Sequence, residues 1–232
     1  MTLPIDEKLK IGIQTIHREP DDQNGPWLPK IDELVDFVQL VDKSGFDSLW
    51  VGDHLSMPLP FFDPFQQLAQ AAVASRRLLL GTSVYLLPLR HPGPVAKQAI
   101  TLDHLSEGRL LFGVGIGGEF PKEYEVAGVP MNERGARLSE SIEVMRELWS
   151  GEPASYNGKF FKFSEVLMTP PPRQEGGPPI WCGGRKEAAF KRMGRLADGY
   201  VSYVVTPEMY RDALVKIEQA ANEANRKLNN FG

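Results

Sequence analysis

The chain has 232 residues, of which 42% are hydrophobic and 24% are charged, a composition typical of a globular protein and not of a disordered one. Its 26 basic and 30 acidic residues give a net charge of −4 without any marked basic cluster, which argues against a nucleic-acid-binding protein. The apolar runs are too short to span a bilayer, and the N-terminal sequence MTLPIDEK contains no apolar signal segment. We therefore expect one cytoplasmic domain over residues 1–232 that binds neither nucleic acid nor membrane.

Short β-like segments alternate with longer amphipathic segments along the chain. The predicted strands are residues 10–16, 48–52, 78–86, 109–114, 180–182 and 199–204. The predicted helices are residues 31–43, 64–75, 92–105, 133–149, 186–196 and 207–224. Asp63 and Asn132 are the residues expected to cap the second and the fourth of these helices. Such alternation is typical of βαβ units, whose strands form a parallel sheet.

Residues 152–179 interrupt this alternation. Aromatic and β-branched residues flank Asn157-Gly158, which predicts a β-hairpin, and a stretch rich in proline and glycine follows. We interpret the segment as an insertion between the fourth helix and the fifth strand. Six strands are fewer than the eight of a closed (β/α)8 barrel, whereas an open doubly wound sheet accepts six, so the count leaves both architectures open.

Histidines provide one group of candidate site residues. Ligands of both architectures bind where strands end, and His54 follows the second strand, where its imidazole could accept or donate a proton. The alternative is that His54 bonds to a carbonyl group of its own loop. His91 precedes a proline, which favours a turn residue. No H-x-x-x-H pattern occurs, so we predict no metal site from the four histidines, His17, His54, His91 and His104.

Four glycines lie within residues 113–118, directly after the fourth strand, and allow the backbone to approach a ligand closely. The pattern is not a dinucleotide fingerprint, because no helix is predicted before residue 133. We expect Gly117 and Gly118 to face a ligand and the carboxylate of Glu119 to hold or move a proton. The alternatives are a flexible glycine loop and an exposed carboxylate.

Gly183, Gly184 and Arg185 separate the fifth strand from the next helix. Free backbone N–H groups and the positive end of the helix dipole favour an anion at such a turn, so we expect a phosphate-bearing ligand there. The alternative is a plain turn with an exposed arginine. Cys182 is the single cysteine, which excludes an intramolecular disulfide and suits a reducing compartment, and we expect it to pack within the strand.

Five segments, in the same order along the chain, resemble the luciferase-like flavin-dependent oxidoreductases. They are residues 45–54 (GFDSLWVGDH), 81–92 (GTSVYLLPLRHP), 108–130 (GRLLFGVGIGGEFPKEYEVAGVP), 133–149 and 178–199 (PPIWCGGRKEAAFKRMGRLADG). The resemblance implies a (β/α)8 TIM-type barrel, of which this chain supplies about six of the eight βα units, with the cofactor at the carboxyl ends of the strands. It also implies FMN or the deazaflavin F420 as cofactor, a small organic substrate such as an alcohol, a sugar or a nicotinamide, and a homodimer.

The resemblance also implies roles for single residues. His54 matches the active-site histidine of the family, and Glu119 matches an acid found in members that use F420. Gly183, Gly184 and Arg185 match the turn on the phosphate side of the cofactor.

Two further matches concern the cofactor. Arg134 or Arg137 matches an arginine beside it, and the alignment allows either. By position, the Ser83–Val84 peptide bond matches a non-proline cis bond that supports the flavin ring in the family. Family members continue through two more strand–helix units, so we expect either a shortened product or a gap that a partner subunit or a domain swap covers.

Three functions are compatible with these patterns. The first is F420-dependent hydride transfer to or from a small organic substrate, which Glu119 favours. The second is an FMN-dependent two-component monooxygenase that receives reduced FMN from a separate flavin reductase. The third is a non-catalytic flavin-binding or structural protein, motivated by the shortened barrel. Because one scaffold serves all three, the fold cannot choose between them.

Overall fold

The computed structural model describes residues 10–15, 30–58 and 60–232. The strands are β1 Gly12–Gln14, β2 Ser48–Val51, β3 Leu79–Thr82, β4 Leu110–Val114, β5 Ala154–Asn157, β6 Lys162–Val166, β7 Ile180–Gly183 and β8 Gly199–Val201. Within the described residues, β1, β2, β3, β4, β7 and β8 form one sheet in that order, and every neighbouring pair is parallel. The predicted parallel α/β architecture is thereby confirmed.

The helices are α1 Ile31–Lys43, α2 Pro64–Ala74, α3 Pro92–Leu105, α4 Pro121–Val126, α5 Arg134–Leu148, α6 Glu187–Leu196 and α7 Pro207–Glu223. Asp63 caps α2 as predicted, because its carboxylate accepts hydrogen bonds from the backbone N–H groups of Phe65 and Gln66. None of the helices in the described ranges is long and apolar enough to cross a membrane.

Several predicted boundaries are wrong. The third strand ends at Thr82 and not at residue 86, because the chain turns there and residues 87–89 form a 3-10 turn. The last strand ends at Val201 and not at residue 204. Asn132 does not cap α5, since it lies within a 3-10 turn and Glu133 is the residue before the helix. Helix α4 was not predicted, because six residues are too few to show a helical period.

The parallel sheet is strongly curled. Strands β2 and β7 are three positions apart, which would separate them by roughly 14 Å in a flat sheet. The indole rings of Trp50 on β2 and Trp181 on β7 nevertheless have their centroids only 5.5 Å apart. Glycines make room for them, because a Cβ atom at Gly81 would overlap Trp50 and one at Gly199 would lie 2.6 Å from Trp181. The sheet is thus barrel-like, with two tryptophans on its concave side.

The residues after α7 pack against the last strand. Phe231 is buried, and Gly232 exchanges backbone hydrogen bonds with β8: its oxygen accepts from Tyr200 N–H, and its N–H donates to Asp198 O, each at 3.0 Å. This is the hydrogen-bond pattern of a parallel pair. Gly232 therefore lies along the edge of β8 that does not face β7.

The hairpin predicted around Asn157-Gly158 is confirmed as the antiparallel pair β5–β6, which stands apart from the parallel sheet. The carboxylate of Glu140 on α5 accepts hydrogen bonds from three backbone N–H groups of the hairpin turn, at residues 159–161. A Cβ atom at Gly158 would overlap that carboxylate, so glycine is required for the close approach. His17 lies outside the described residues.

Candidate functional site

A cavity of about 320 Å³ opens on the concave side of the sheet, toward the carboxyl ends of the strands. Its lining comes from β1, β2, β7 and β8 and from the residues that follow β3 and β8: Gly12, Gln14, Trp50, Ser83, Trp181, Tyr200, Val201 and Ser202. The amide of Gln14 donates a hydrogen bond of 3.3 Å to the carbonyl oxygen of Ser83. The cavity thus combines two indole surfaces with a few polar groups, as ligand sites commonly do.

His54 lies after β2 and is held by a residue that the sequence did not suggest. Its Nδ1 atom is 3.2 Å from Oε1 of Glu123 on α4, and the side chain of Glu123 is buried. The imidazole keeps 22% of its surface exposed. Phe61 and Phe120 meet the ring edge to face, with centroids 4.9 Å and 5.4 Å away. The orientation of the ring is therefore fixed by one hydrogen bond and two aromatic neighbours.

Asp53, next to His54, is bound to the following strand. Its buried carboxylate accepts hydrogen bonds from the backbone N–H of Leu86 and from the guanidinium of Arg90. Burial lowers the pKa of Arg90, but the hydrogen bonds to Asp53 and the charges of the neighbouring acidic groups together raise it more, so that this pKa lies above its ordinary value. The guanidinium also lies 4.4 Å from the ring centre of Tyr85. These contacts join the segment after β2 to the segment after β3.

The peptide bond between Ser83 and Val84 is cis, at the position that the resemblance implied. The side chain of Val84 packs against two glycines of neighbouring strand ends: a Cβ atom at Gly115 would overlap it, and one at Gly183 would lie 3.2 Å from it. The ends of β3, β4 and β7 therefore meet around Val84.

The glycine loop after β4 lies beside His54. Gly117 and Gly118 have positive φ angles of 58° and 116°, which glycine adopts readily. Glu119 is exposed, and no hydrogen bond or ion pair joins its carboxylate to another part of the described chain. The next residue, Phe120, supplies one of the rings against His54. The predicted proton-handling residues, His54 and Glu119, thus lie on adjacent loops.

The two candidate arginines of α5 differ in their surroundings. The guanidinium of Arg134 donates to Met131 O, while its buried Nε atom has no partner among the described residues and would lie 3.3 Å from a Cβ atom at Gly118. Arg137 forms an ion pair of 2.8 Å with Glu133 and lies over the ring of Phe160. Arg134 therefore borders the glycine loop, whereas Arg137 is already engaged by side chains of the protein.

The turn before α6 is open to solvent. Gly184 has a φ angle of 149°, and a Cβ atom there would lie 2.5 Å from the Cβ atom of Ala189. Arg185 is exposed, and its guanidinium carbon lies 5.5 Å from the ring centre of Tyr203. Tyr200 on β8 packs against Phe190 of α6, with ring centroids 6.2 Å apart, and its buried hydroxyl group has no hydrogen-bond partner among the described residues. Cys182 is buried in β7 as expected, and burial raises the pKa of its thiol to about 12.

Two residues of this region were missed in the sequence, Arg90 and Glu123. Each bonds to a residue at least 37 positions away, Arg90 to Asp53 and Glu123 to His54. Glu123 lies between the fourth predicted strand and residue 133, where no helix was predicted, so no periodic pattern pointed to it. Over the described ranges, no group of three or more His, Cys, Asp or Glu side chains is arranged to hold a metal ion.

A second cavity, of about 250 Å³, lies at the opposite end of the strands. Arg146, Arg195 and Arg226 line it together with two glutamates. Arg146 and Arg226 both donate to Asp198, which also accepts a hydrogen bond from the backbone N–H of Ile180. These charges are thus used to fix the chain where β7 and β8 begin, so the candidate site is the cavity at the carboxyl ends.

The sequence model of the luciferase-like monooxygenase family matches residues 9–231, which is nearly the whole chain. The chain belongs to the luciferase-like monooxygenase family. Over 156 residues, which are 66% of its length, this luciferase-like protein is 33% identical to the oxygenase component of the flavin-dependent trigonelline monooxygenase of Acinetobacter baylyi. It is 32% identical over 208 residues to the F420-dependent glucose-6-phosphate dehydrogenase of Nakamurella multipartita, which covers 84% of the chain.

The chain spans 43% of the length of the first of these relatives and 60% of the second. Among solved structures, the crystal structure of the monooxygenase RslO1 from Streptomyces bottropensis superposes with a TM-score of 0.81 at 27% identity. That match covers 96% of this chain and 69% of the other. The curled parallel sheet is therefore consistent with the family membership. The relatives include both F420-dependent and flavin-dependent enzymes.

Proposed function

We propose that this protein is an oxidoreductase that uses a flavin-type cofactor, and that it transfers hydride between F420 and a small organic substrate. The observation that carries the proposal is the cavity at the carboxyl ends of the strands, which the indole faces of Trp50 and Trp181 line together with Ser83. The F420 choice is supported by the similarity to the F420-dependent glucose-6-phosphate dehydrogenase, which matches 84% of the chain, whereas the flavin-dependent trigonelline monooxygenase matches 66%.

The residues present suit a flavin-type group. A volume of about 320 Å³ is at the lower end of the range for ligand sites and has room for a ring system but not for a whole cofactor. The indoles of Trp50 and Trp181 provide apolar surface for a flat ring. The unpaired Nε atom of Arg134 provides a donor beside the glycine loop, as an anionic ligand requires.

The phosphate side of the cofactor would be bound at the turn before α6. Gly183 and Gly184 precede a ten-residue helix whose first backbone N–H groups would donate to the phosphate, and Arg185 contributes a positive charge. When bound, F420 or FMN supplies the ring that carries hydride. The protein's own contribution is to orient that ring, to exclude water from it and to move the accompanying proton.

His54 is the residue proposed to accept or donate that proton, because its ring is held in one orientation and still partly exposed. Glu119 is proposed as a second proton carrier. It is exposed and unpaired within the described chain, which leaves its carboxylate available to a bound ligand. The substrate class remains that of small alcohols, sugars and nicotinamides, and the active protein is proposed to be a homodimer.

A second candidate is an FMN-dependent monooxygenase. The similarity to the oxygenase component of the trigonelline monooxygenase favours it. In this case the protein would need a flavin reductase as its partner. The same cavity and the same His54 would serve this chemistry. A preference for reduced FMN over F420 would therefore move the assignment to this candidate.

The test is a fluorescence titration of the purified protein with F420 and, separately, with FMN, followed by an F420-reduction assay with sugar phosphates and small alcohols. We expect F420 to bind more tightly, and we expect His54→Ala to lower turnover by about 10²- to 10⁴-fold with little loss of binding. Glu119→Ala should also lower turnover, whereas Glu125→Ala, a matched change of an exposed carboxylate on α4, should not.

Binding of neither cofactor by the folded protein would contradict the proposal and favour a non-catalytic role. Light scattering on the same sample gives the oligomeric state. A monomer with full activity would contradict the homodimer.

A further inference from the structure

The hydrogen bonds to Glu123 determine which nitrogen of His54 carries a proton. Oε1 of Glu123 accepts from the backbone N–H of Leu55 at 2.7 Å and from that of Ser56 at 3.2 Å. Backbone N–H groups only donate, so Oε1 accepts both of these bonds, and as a carboxylate oxygen it has no proton to donate to a third neighbour. The third neighbour of Oε1 is Nδ1 of His54 at 3.2 Å. That nitrogen must therefore be the donor.

We propose that Glu123 is a positioning residue that fixes His54 as its Nδ1–H tautomer and so leaves Nε2 as the only ring nitrogen able to accept a proton. A neutral imidazole has one donor and one acceptor nitrogen, and the bond made by the first decides the second. Phe61 and Phe120 hold the ring edge to face, so the ring cannot easily turn over to exchange its nitrogens. The expected effect of this arrangement on turnover rests on the proposed function, whereas the assignment of the tautomer does not.

The other histidines with an assignable hydrogen bond have the opposite tautomer. Nδ1 of His91 accepts from the backbone N–H of Gly93 at 3.1 Å, which leaves its proton on Nε2. Nε2 of His104 is 2.8 Å from the carbonyl oxygen of Pro171, an acceptor, so this nitrogen carries the proton. Within the described residues, His54 is thus distinguished from His91 and His104, which serve as internal controls.

The burial of Glu123 explains why one carboxylate can hold this geometry. Its side chain is 1% exposed, and its helix α4 begins directly after Phe120. The two backbone donors belong to the residues that follow His54, so the carboxylate fixes the loop and the ring together. Glu125, two residues later, is exposed and pairs with Lys122, and it provides a control position on the same helix.

The experiment measures the ring ¹⁵N chemical shifts of the four histidines in the whole chain at about pH 8.5, above the ordinary pKa of histidine. His54→Asn assigns the resonance of His54. We expect the Nδ1–H pattern for His54 and the Nε2–H pattern for His91 and His104. A wild-type His54 with the Nε2–H pattern would overturn the proposal without any variant of Glu123.

Two substitutions then separate the acceptor from the charge. Glu123→Gln keeps an acceptor oxygen and should keep the Nδ1–H pattern, whereas Glu123→Leu removes the acceptor and should give a mixture of tautomers. Turnover, measured as kcat for F420 reduction, should fall by about 10- to 100-fold in the leucine variant with KM little changed, and less in the glutamine variant. The matched changes Glu125→Gln and Glu125→Leu should alter neither quantity.

The outcomes distinguish this proposal from the proposed function. One outcome is that Glu123→Leu loses the Nδ1–H pattern but keeps its turnover, while His54→Ala loses turnover. Glu123 then has no positioning role, and His54 remains the proton carrier. If His54→Ala keeps its turnover, the proposed function of His54 is wrong, and the tautomer result stands alone. Should the leucine variant fail to fold, the wild-type and glutamine spectra still decide, since loss of the Nδ1–H pattern in either would contradict the proposal.

Discussion

The guanidinium of Arg90 donates two hydrogen bonds to the carboxylate of Asp53, from Nη1 to Oδ2 at 2.5 Å and from Nη2 to Oδ1 at 2.9 Å. The side chain of Asp53 is 1% exposed and that of Arg90 is 20% exposed. Because Asp53 immediately precedes His54, this pair fixes the backbone that carries the candidate proton carrier. The pair therefore couples the stability of the fold to the geometry of the site.

Asp53→Asn should destabilise the protein by about 2–3 kcal/mol. Breaking a fully buried pair costs about 3–5 kcal/mol, and the partly exposed Arg90 keeps some hydration. The free energy of unfolding in urea measures the effect. Glu107→Gln removes a partner of the exposed Arg76–Glu107 pair and should change that free energy by less than about 1 kcal/mol. Equal effects of the two changes would show that the Asp53–Arg90 pair is not a structural tie.

Arg134→Gln should weaken F420 binding about tenfold, whereas Arg137→Gln should change it less than about twofold. A hydrogen bond to a charged group typically contributes about 1.5–3 kcal/mol, and the free Nε atom of Arg134 borders the glycine loop. Arg137 is engaged by Glu133 and Phe160. Fluorescence titration gives both dissociation constants. A larger effect at Arg137 would reverse the assignment of the arginine beside the cofactor.

Gly115→Ala should destabilise the protein by about 1–3 kcal/mol, because the added methyl group would overlap Val84. Val84→Ala removes the group that is overlapped, so the double variant should be more stable than the sum of the two single changes predicts. Urea unfolding of the four proteins measures this coupling. Strict additivity would mean that the two side chains do not meet in solution.

Cys182 should resist thiol reagents in the folded protein at pH 8. The residue is 1% exposed, and burial raises the pKa of its thiol to about 12, so the reactive thiolate is scarce. Absorbance with a chromogenic disulfide should show no release until denaturant is added, and then one thiol per chain. Ser150→Cys places a thiol at an exposed position and should react at once. Fast reaction of native Cys182 would contradict its burial.

Stability should fall as the pH rises from about 9 to about 12. Burial raises the pKa of Cys182 from 9.0 to about 12 and that of Tyr124 from 10.0 to about 12. In this window the unfolded chain loses protons that the folded chain keeps, so the unfolding equilibrium constant rises by up to about tenfold per pH unit for each group. Below pH 9 these two groups do not make the free energy of unfolding depend on pH. Cys182→Ala should flatten the curve between pH 9 and 10, and an unchanged slope would rule out the thiol as its cause.

The sequence predicted the strand–helix order well because each element is set by neighbours two to four residues apart. Helix α1 runs from Ile31 to Lys43 as predicted, and Asp63 caps α2 through its own carboxylate. The same local reasoning failed at α4 and at Asn132, where short turns leave no period to detect. It placed His54, Glu119 and the turn at residues 183–185 at one edge of the sheet, since parallel strands all end there.

Only the tertiary structure decided what surrounds these residues. Glu123 is 69 positions from its partner His54, and Arg90 is 37 positions from Asp53, so no local pattern could connect them. The curl that brings Trp50 against Trp181 likewise depends on the order and twist of whole strands. By itself, the sequence determined which residues follow each strand, because backbone periodicity is local. The fold determined which of them touch, because contacts between distant segments depend on how the strands are arranged around one axis.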